Sequence, residues 1–402
     1  MPRTSPPALL LALFLAAGLA GAAQAQGARR PATVAGTVRD ADGQPLPGAS
    51  VYLSGTTRGD AADAEGRYRI PAVTPGTYRL VGSMVGFTAD VREVQLPAGQ
   101  ELQLDLKLTP SISGVGSLVV EAPDDPLWRQ RLAQFTVALL GETVNAHLTR
   151  ILNPEVLDFT SSLGTLRATA AAPLVIENRA LGYRLRYDLH EFSDSGNRIR
   201  FDGDEVFEEI GPASDTEARE WAAARERAWR GSRAHLFRSL IEGTAEAEGF
   251  SLALDQRGLF GRGPKALTRD GAPPTVCTPD QPVRVVRLSA RRVVGLRDGV
   301  HVILESGVLW VRYEGEPEEP GYLTSRLYPG SNGRRGAPWR TFVRWNQPKD
   351  DQVSQLHIGR PGMALDADGT PVDWIATSGY MAFERLANRV PRDYALDPPG
   401  GV

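Results

Sequence analysis

Between Gly36 and Phe87 the chain reads GTVRDADGQPLPGASVYLSGTTRGDAADAEGRYRIPAVTPGTYRLVGSMVGF, a run of short alternating segments separated by glycine and proline turns. Val34, Gly36 and Val38 alternate with small or polar residues, and Asp40–Gly43 forms a turn after them, which predicts a strand entering a hairpin-type connection. Gly43 supplies the positive φ that such a turn needs. Pro45 and Pro47 have no amide hydrogen to donate, so Leu46 between them belongs to an edge or a bend. Ala49, Val51 and Leu53 predict a second strand, Tyr68 and Ile70 a third, and Tyr78 and Leu80 a fourth after the Pro75-Gly76 turn. Leu102, Leu104, Leu106 and Leu108 keep strict period two and read as one closing strand. Short strands in this rhythm specify an antiparallel β-sandwich.

The same residues resemble a known family. Gly36-x-Val38-x-Asp40, Gly43-x-Pro45-Leu46-Pro47-Gly48-Ala49-x-Val51, Gly55-Thr56-Thr57, Gly66-x-Tyr68, Pro75-Gly76-x-Tyr78 and Gly86-Phe87 are similar to the carboxypeptidase regulatory-like domain. The resemblance covers residues 31–108. It implies a transthyretin-like sandwich of the kind found beside metallocarboxypeptidases and at the N-termini of TonB-dependent receptors. It implies no peptidase activity, because the domain is the accessory part of those enzymes.

A chain of 402 residues has room for two or three cores. Its 45 basic and 48 acidic residues nearly cancel, giving no electrostatic reason to expect nucleic acid as a partner. The N-terminus points to export. Arg3 precedes an apolar run from Ala8 to Ala20, and Ala23-Gln24-Ala25 supplies a small-x-small cleavage pattern, so residues 1–25 read as a signal peptide. The competing reading is a membrane anchor, but the run is shorter than the roughly 20 apolar residues that span a bilayer. No later stretch is apolar enough to span as a helix, so no transmembrane helix is expected in the mature chain. Cys277 is the only cysteine, which excludes an intramolecular disulfide. The expected location is the periplasm, the outer-membrane surface or the exterior.

Residues 109–126 read as a linker, small and flexible from Ser111 to Ser117 and broken by prolines at Pro123 and Pro126. The residues beyond Pro126 are too few for the plug and barrel of a receptor. Residues 127–397 are expected to form an α+β domain with an antiparallel sheet and several helices. Leu127–Leu140 predicts an amphipathic helix that stops at Gly141, and a second helix is expected over Val144–Leu152. Tyr183, Leu185, Tyr187 and Leu189 alternate with polar residues as a half-exposed strand, whose partner begins at Ile199. Asp215 opens a long helix that Gly231-Ser232 divides. Val283–Val311 is expected to be a β-meander. In layout this region resembles the uncharacterised C-terminal parts of exported bacterial proteins headed by such a sandwich. Leu152–Leu157, Glu177–Tyr183 and Gly231-Ser232 are its most signature-like pieces.

Catalytic patterns are scarce. His147, His190, His235, His301 and His357 show no HExxH or HxxE spacing, so a zinc carboxypeptidase is not supported and no metal or other cofactor is expected. There is no Gly-x-Ser-x-Gly elbow, phosphate loop or dinucleotide fingerprint. Paired carboxylates brought together by the fold would suffice for a glycosidase, and Asp188, Asp204 and Glu205 lie on or beside the expected strand pair. Surface carboxylates beside a turn are the alternative. Trp310, Trp339 and Trp345, in a late stretch partly made of glycine-, proline- and arginine-rich loops, offer binding platforms for a sugar or a protein, with core or loop-pinning roles as the alternative. Two functions stay open. One is a non-enzymatic envelope protein whose sandwich is an interaction or spacer module, with an envelope protein or glycan as partner. The other is a glycan- or peptide-directed hydrolase using paired carboxylates.

Overall fold

The computed structural model describes residues 30–110, 125–255, 277–278, 281–282, 285–297, 300–325, 350–366, 369–371 and 375–395, with residue 197 excepted. The expected signal peptide, most of the expected linker, Trp339 and Trp345 lie outside the described residues. The chain divides into two compact units, one within Met1–Ser54 and Arg58–Ser117, the other within Gly55–Thr57 and Leu118–Val402.

The first unit contains β1 (Ala32–Arg39), β2 (Ser50–Leu53), β3 (Gly59–Ala61), β4 (Arg67–Val73), β5 (Gly76–Ser83), β6 (Phe87–Thr88), β7 (Asp90–Leu96), β8 (Glu101–Gln103), β9 (Leu106–Lys107) and β10 (Thr109–Pro110). One sheet has the order β4-β1-β8 with β9 also on β1, the other β3-β2-β5-β7, and β6 pairs with β10. Val34, Val38, Val51, Ile70, Leu80 and Leu106 meet in the core between them. Pairing is antiparallel except that β8 and β9 run parallel to β1.

The expected closing strand is broken in two: Leu102 lies in β8 and Leu106 in β9, with Leu104 and Leu108 just beyond them. Asp105 turns its carboxylate onto the Thr37 amide (2.8 Å) and hydroxyl (2.9 Å), so a side chain replaces the ladder between β8 and β9. The Leu104 amide still donates to the Ala35 carbonyl at 2.8 Å, and the Leu104 carbonyl accepts from the Tyr68 hydroxyl at 2.6 Å. Side chains also occupy the amides along β4. Asp60 accepts from the Arg69 amide and Asp63 from the Arg67 amide, each at 2.8 Å, which blocks pairing with another strand.

The second unit is rich in strands and has few helices. Its first part comprises α1 (Pro126–Leu140), β11 (Thr149–Ile151), β12 (Leu157–Ser162), β13 (Thr165–Ala170), β14 (Leu174–Asn178), β15 (Tyr183–Asp194), β16 (Ile199–Glu209), α2 (Asp215–Trp229) and α3 (Arg233–Glu242). The rest comprises β17 (Phe250–Asp255), β18 (Cys277–Thr278), β19 (Gln281–Pro282), β20 (Val285–Leu288), α4 (Ala290–Val293), β21 (Val294–Arg297), β22 (Val300–Ile303), β23 (Gly307–Tyr313), α5 (Pro320–Thr324), β24 (Gln352–Ile358), β25 (Met363–Leu365), β26 (Ala376–Gly379) and α6 (Tyr380–Phe383).

Asp125 caps α1 by accepting from the Leu127 amide, and Pro126 occupies the first turn, where its missing amide costs nothing. Trp128, Phe135 and Leu139 turn toward the sheet β11-β14-β15-β13-β12, on which β16 pairs with β15. Trp128 and Arg131 also donate to the Leu157 and Phe159 carbonyls, both at 3.2 Å, so α1 covers the edge strand β12. A second core, with Leu240, Leu252, Leu309, Leu356 and Ile358, lies against the sheet β20-β17-β23-β24-β26.

Two expectations are corrected. Val144–Leu152 is not an α-helix. It forms a 3-10 turn at Asn145–Leu148 and then β11, leaving Val144 64% and Leu148 56% exposed. Asn153 anchors the chain after β11, accepting from the Val175 amide (2.7 Å) and donating to the Pro173 carbonyl (2.9 Å), before a second 3-10 turn at Pro154–Val156. Nor do the described residues of Val283–Val311 form a single meander. The buried turn α4 redirects the chain, so β20 joins β17 while β21 and β22 pair with β25 in a separate sheet.

Candidate functional site

The β15–β16 ribbon places the three candidate carboxylates. Asp188 is the cross-strand partner of Asp204, while Glu205 is the partner of Tyr187. Successive residues of a strand face opposite sides, so Asp188 and Asp204 share one face and Glu205 projects from the other. A bulge between Leu189 and Glu191 brings His190 onto this ribbon edge, with Nε2 at 3.3 Å from Asp204 and Nδ1 at 3.8 Å from Asp202. Asp204 is fully buried. Glu205 is committed elsewhere: both its oxygens accept from Arg389, at 2.9 and 2.7 Å. Trp310 lies in β23 and is buried, which leaves it a core residue of its sheet.

The signature-like pieces turn out to be fasteners of backbone. Asn153 ties the end of β11 to β14. Asn178 accepts from the Ala180 and Leu181 amides and donates to the Ala387 carbonyl, fixing the turn that leads into β15. From α2, Trp221 donates to the Arg179 carbonyl at 2.7 Å and Arg225 to the Leu181 carbonyl at 2.7 Å. Gly231, at φ 70°, separates α2 from α3, and Ser232 caps α3.

Two titratable constellations carry no signal in the sequence. The Gly231 amide donates to His235 Nδ1 at 3.0 Å, which leaves Nε2 to carry the proton and donate to Glu248 at 2.6 Å. Thr244 holds the other Glu248 oxygen, and Trp229, Phe250 and Tyr313 wall the imidazole. Burial lowers the His235 pKa against the upward pull of Glu248, and Arg230 and Arg238 lower it further. The second constellation joins Glu316, Glu319 and Glu384 near Tyr380. Burial raises all three carboxyls, Glu316 to about 7, and Glu316 and Glu319 add to the rise at Glu384. The Val144 amide donates to Glu319 at 2.9 Å, and the Tyr380 hydroxyl faces the Glu319 amide at 3.2 Å. Glu316 and Glu319 lie in a stretch that reads as a loop, and Glu384 is remote in sequence, so no local pattern marks them. A carboxyl that holds its proton near neutrality can serve as an acid. Among the described residues no three His, Cys, Asp or Glu side chains are arranged to hold a metal.

These groups give stability opposite pH windows. Glu316 moves from 4.5 to about 7 on folding, so the folded chain binds the extra proton and stability falls as pH rises through that range. Glu316→Gln is therefore expected to raise the melting temperature more at pH 8 than at pH 4.5. His235 is depressed below its ordinary 6.5, so its contribution is present above that value and is lost as pH falls. His235→Gln should flatten this acid limb. Melting curves of both variants across the range check the signs, and shifts independent of pH would contradict them.

Comparison with known proteins bears on the first unit. Residues 33–109 match the family model of the carboxypeptidase regulatory-like domain. Over 74 residues the chain is 38% identical to TonB-dependent receptor P39 of Formosa agariphila, an overlap of 18% of this chain and 7% of the receptor. Among solved structures, a type II cohesin–X-dockerin complex from Acetivibrio cellulolyticus overlaps with a TM-score of 0.18 at 21% identity, covering 20% of this chain and 58% of that one. The minor pilin GBS52 of Streptococcus agalactiae overlaps with a TM-score of 0.19 at 13% identity, over 21% and 47% of the two chains. Among the described residues no helix is long and apolar enough to cross a membrane.

Proposed function

We propose that this is an exported, non-enzymatic protein of the bacterial cell envelope, in which the regulatory-like sandwich is an interaction or spacer module for the C-terminal α+β unit. The carrying observation is that a sandwich with its own core corresponds to only 7% of a receptor otherwise far longer than the match. A module shared between proteins of such different extent is best understood as an accessory part. The leader-like residues Ala8–Ala25 support export. The domain boundaries in this reading are 31–108 for the sandwich and 127–397 for the α+β unit.

Fractionation of cells expressing the full chain, with mass analysis of its N-terminus, tests the proposal. The expected product begins at Gln26 and leaves the cytoplasm. A product that stays cytoplasmic with residues 1–25 attached would refute export.

The competing hydrolase reading draws on Asp188 and Asp204, directly opposed on one face beside His190. Cross-strand partners have Cβ atoms about 4.5–5.5 Å apart, compatible with paired-carboxylate chemistry. The full burial of Asp204 and the commitment of Glu205 to Arg389 favour the non-enzymatic reading. Assay of the purified chain on glycan and peptide panels is expected to show no turnover that Asp204→Asn removes. Turnover abolished by that substitution would reverse the choice.

A further inference from the structure

The sheet β11-β14-β15-β13-β12 treats its two ends differently. At one end α1 lies over β12. At the other, β11 pairs with β14 on one side only. The Leu152 amide donates to the Val175 carbonyl at 2.8 Å and the Arg179 amide to the Leu148 carbonyl at 3.0 Å, so the even-numbered positions bond to β14. Ile151 therefore turns its amide and carbonyl outward, and neither has a backbone partner among the described residues. The Thr149 amide returns to the Ala146 carbonyl, which leaves Thr149 to offer its own carbonyl outward. Outward groups on an end strand are a template for another strand.

Side chains across the sheet carry a charged ladder to this edge. Arg150, Glu177, Arg184 and Glu208 are successive cross-strand partners on β11, β14, β15 and β16. Arg150 Nη2 is 3.1 Å from Glu177 Oε1, Arg184 Nη2 is 3.6 Å from Glu177 Oε2, and Arg184 Nη1 is 3.8 Å from Glu208 Oε2. The signs alternate from Glu208 to Arg150 and stop there. Glu177 is divided between two arginines, and the Arg150 side chain stays 71% exposed. A residue added beside β11 at this level would face a guanidinium with donors to spare. Apolar side chains bracket that level: Leu152 shares the face of Arg150 and is 43% exposed, and Leu148, two residues before Arg150, is 56% exposed.

We propose that β11 is a docking edge for an extended segment of a partner protein, added antiparallel to it, with an aspartate or glutamate opposite Arg150 and apolar residues two positions before and after. In that register Ile151 exchanges two backbone hydrogen bonds with the added strand, the carboxylate continues the ladder, and the apolar side chains cover Leu148 and Leu152. A second copy of the chain fits less well. Two β11 strands paired about a two-fold axis set Arg150 opposite either Arg150 or Leu152, and neither continues the alternation. The edge belongs to the α+β unit and does not depend on export, so failure of the export test leaves it standing.

The full chain is titrated into the fluorescein-labelled peptide Thr-Val-Thr-Glu-Thr-Val-Thr, followed by anisotropy. Comparison peptides carry glutamine or lysine at the centre, and Thr-Thr-Val-Glu-Val-Thr-Thr has the same composition with its valines moved to the other face. Amide exchange across Leu148–Leu152 is read in parallel. The glutamate peptide is expected to bind and to protect the Ile151 amide. Loss of the charge pair, through the glutamine peptide or Arg150→Gln, should weaken binding about fivefold. The lysine and rearranged peptides should bind more weakly still, and Arg150→Glu should prefer lysine to glutamate. Because Arg150→Glu faces Glu177, exposed Leu152→Thr provides a second variant, also expected to weaken binding, and melting curves of both are recorded. The proposal is overturned if the glutamate peptide does not bind at millimolar concentration, if the rearranged peptide binds as tightly, or if binding leaves Ile151 unprotected. Sedimentation showing a dimer that protects Ile151 without peptide would give the edge to a second copy and equally overturn it.

Discussion

Gly36→Ala is expected to lower the melting temperature of the sandwich by roughly 10–20 °C, the shift that about 3 kcal/mol produces in a domain of this size. The cause is space and not backbone angle. A Cβ at residue 36 would stand 1.9 Å from the Leu104 carbonyl oxygen and 2.6 Å from its carbon, with a Tyr68 ring carbon at 3.1 Å. The first two are backbone atoms and cannot swing aside. Moving Leu104 away would break its amide bond to Ala35 and leave the Tyr68 hydroxyl, which bonds the Leu104 carbonyl, without its partner. It would also pull on β8 and β9, which flank Leu104 and pair with β1. Calorimetry with hydrogen exchange on peptides spanning Ala32–Arg39 and Glu101–Lys107 checks the result. Unchanged protection in those peptides would show that the close approach at Gly36 is not real. Thr37→Val serves as a milder control, because it removes one of the two hydrogen bonds to Asp105 without filling the gap.

The turns of the sandwich are legible in the sequence because their constraint is local: Gly43 and Gly66 take positive φ where the pattern asks for a reversal. The alternation of leucines from Leu102 to Leu108 is equally clear, yet periodicity reports facing direction and says nothing about continuity of pairing. The interruption comes from Asp105 choosing Thr37, a partner 68 residues away. The same limit applies in the second unit. The helix ending at Gly141 and the division of α2 from α3 at Gly231 can be read from neighbours in sequence, because capping and glycine chemistry act within a turn. Val144–Leu152 cannot, since Asn153 fixes it through β14. Among the site residues, the position of Asp188 opposite Asp204 arises from the register of two strands, and register depends on the bulge at Leu189/Glu191. The Arg389 that occupies Glu205 is separated from it by 184 residues, and no local signal connects them.

Asn178→Ala is the substitution expected to cost the second unit most per atom removed. Asn178 is 1% exposed and its amide serves three backbone groups: Oδ1 accepts from the Ala180 and Leu181 amides, both at 3.1 Å, and Nδ2 donates to the Ala387 carbonyl at 2.8 Å. Alanine would leave these groups buried with no replacement partner. At about 1 kcal/mol or more for each, the loss is expected to be about 3 kcal/mol. Asn178→Asp separates the two roles. It keeps an oxygen for the Ala180 and Leu181 amides, but near neutrality it sets a carboxylate against the Ala387 carbonyl where a donor stood. Its stability should therefore be no better than that of the alanine variant at pH 7 and should recover toward pH 4, where a protonated carboxyl can donate. Denaturant unfolding of both variants at the two pH values provides the measurement. If Asn178→Asp shows no acid recovery while Asn178→Ala is strongly destabilised, the bond to Ala387 carries little of the cost and the turn at Ala180–Leu181 carries the rest. If neither loses more than about 0.5 kcal/mol, within the range of an ordinary surface substitution, the buried amide does not hold this junction.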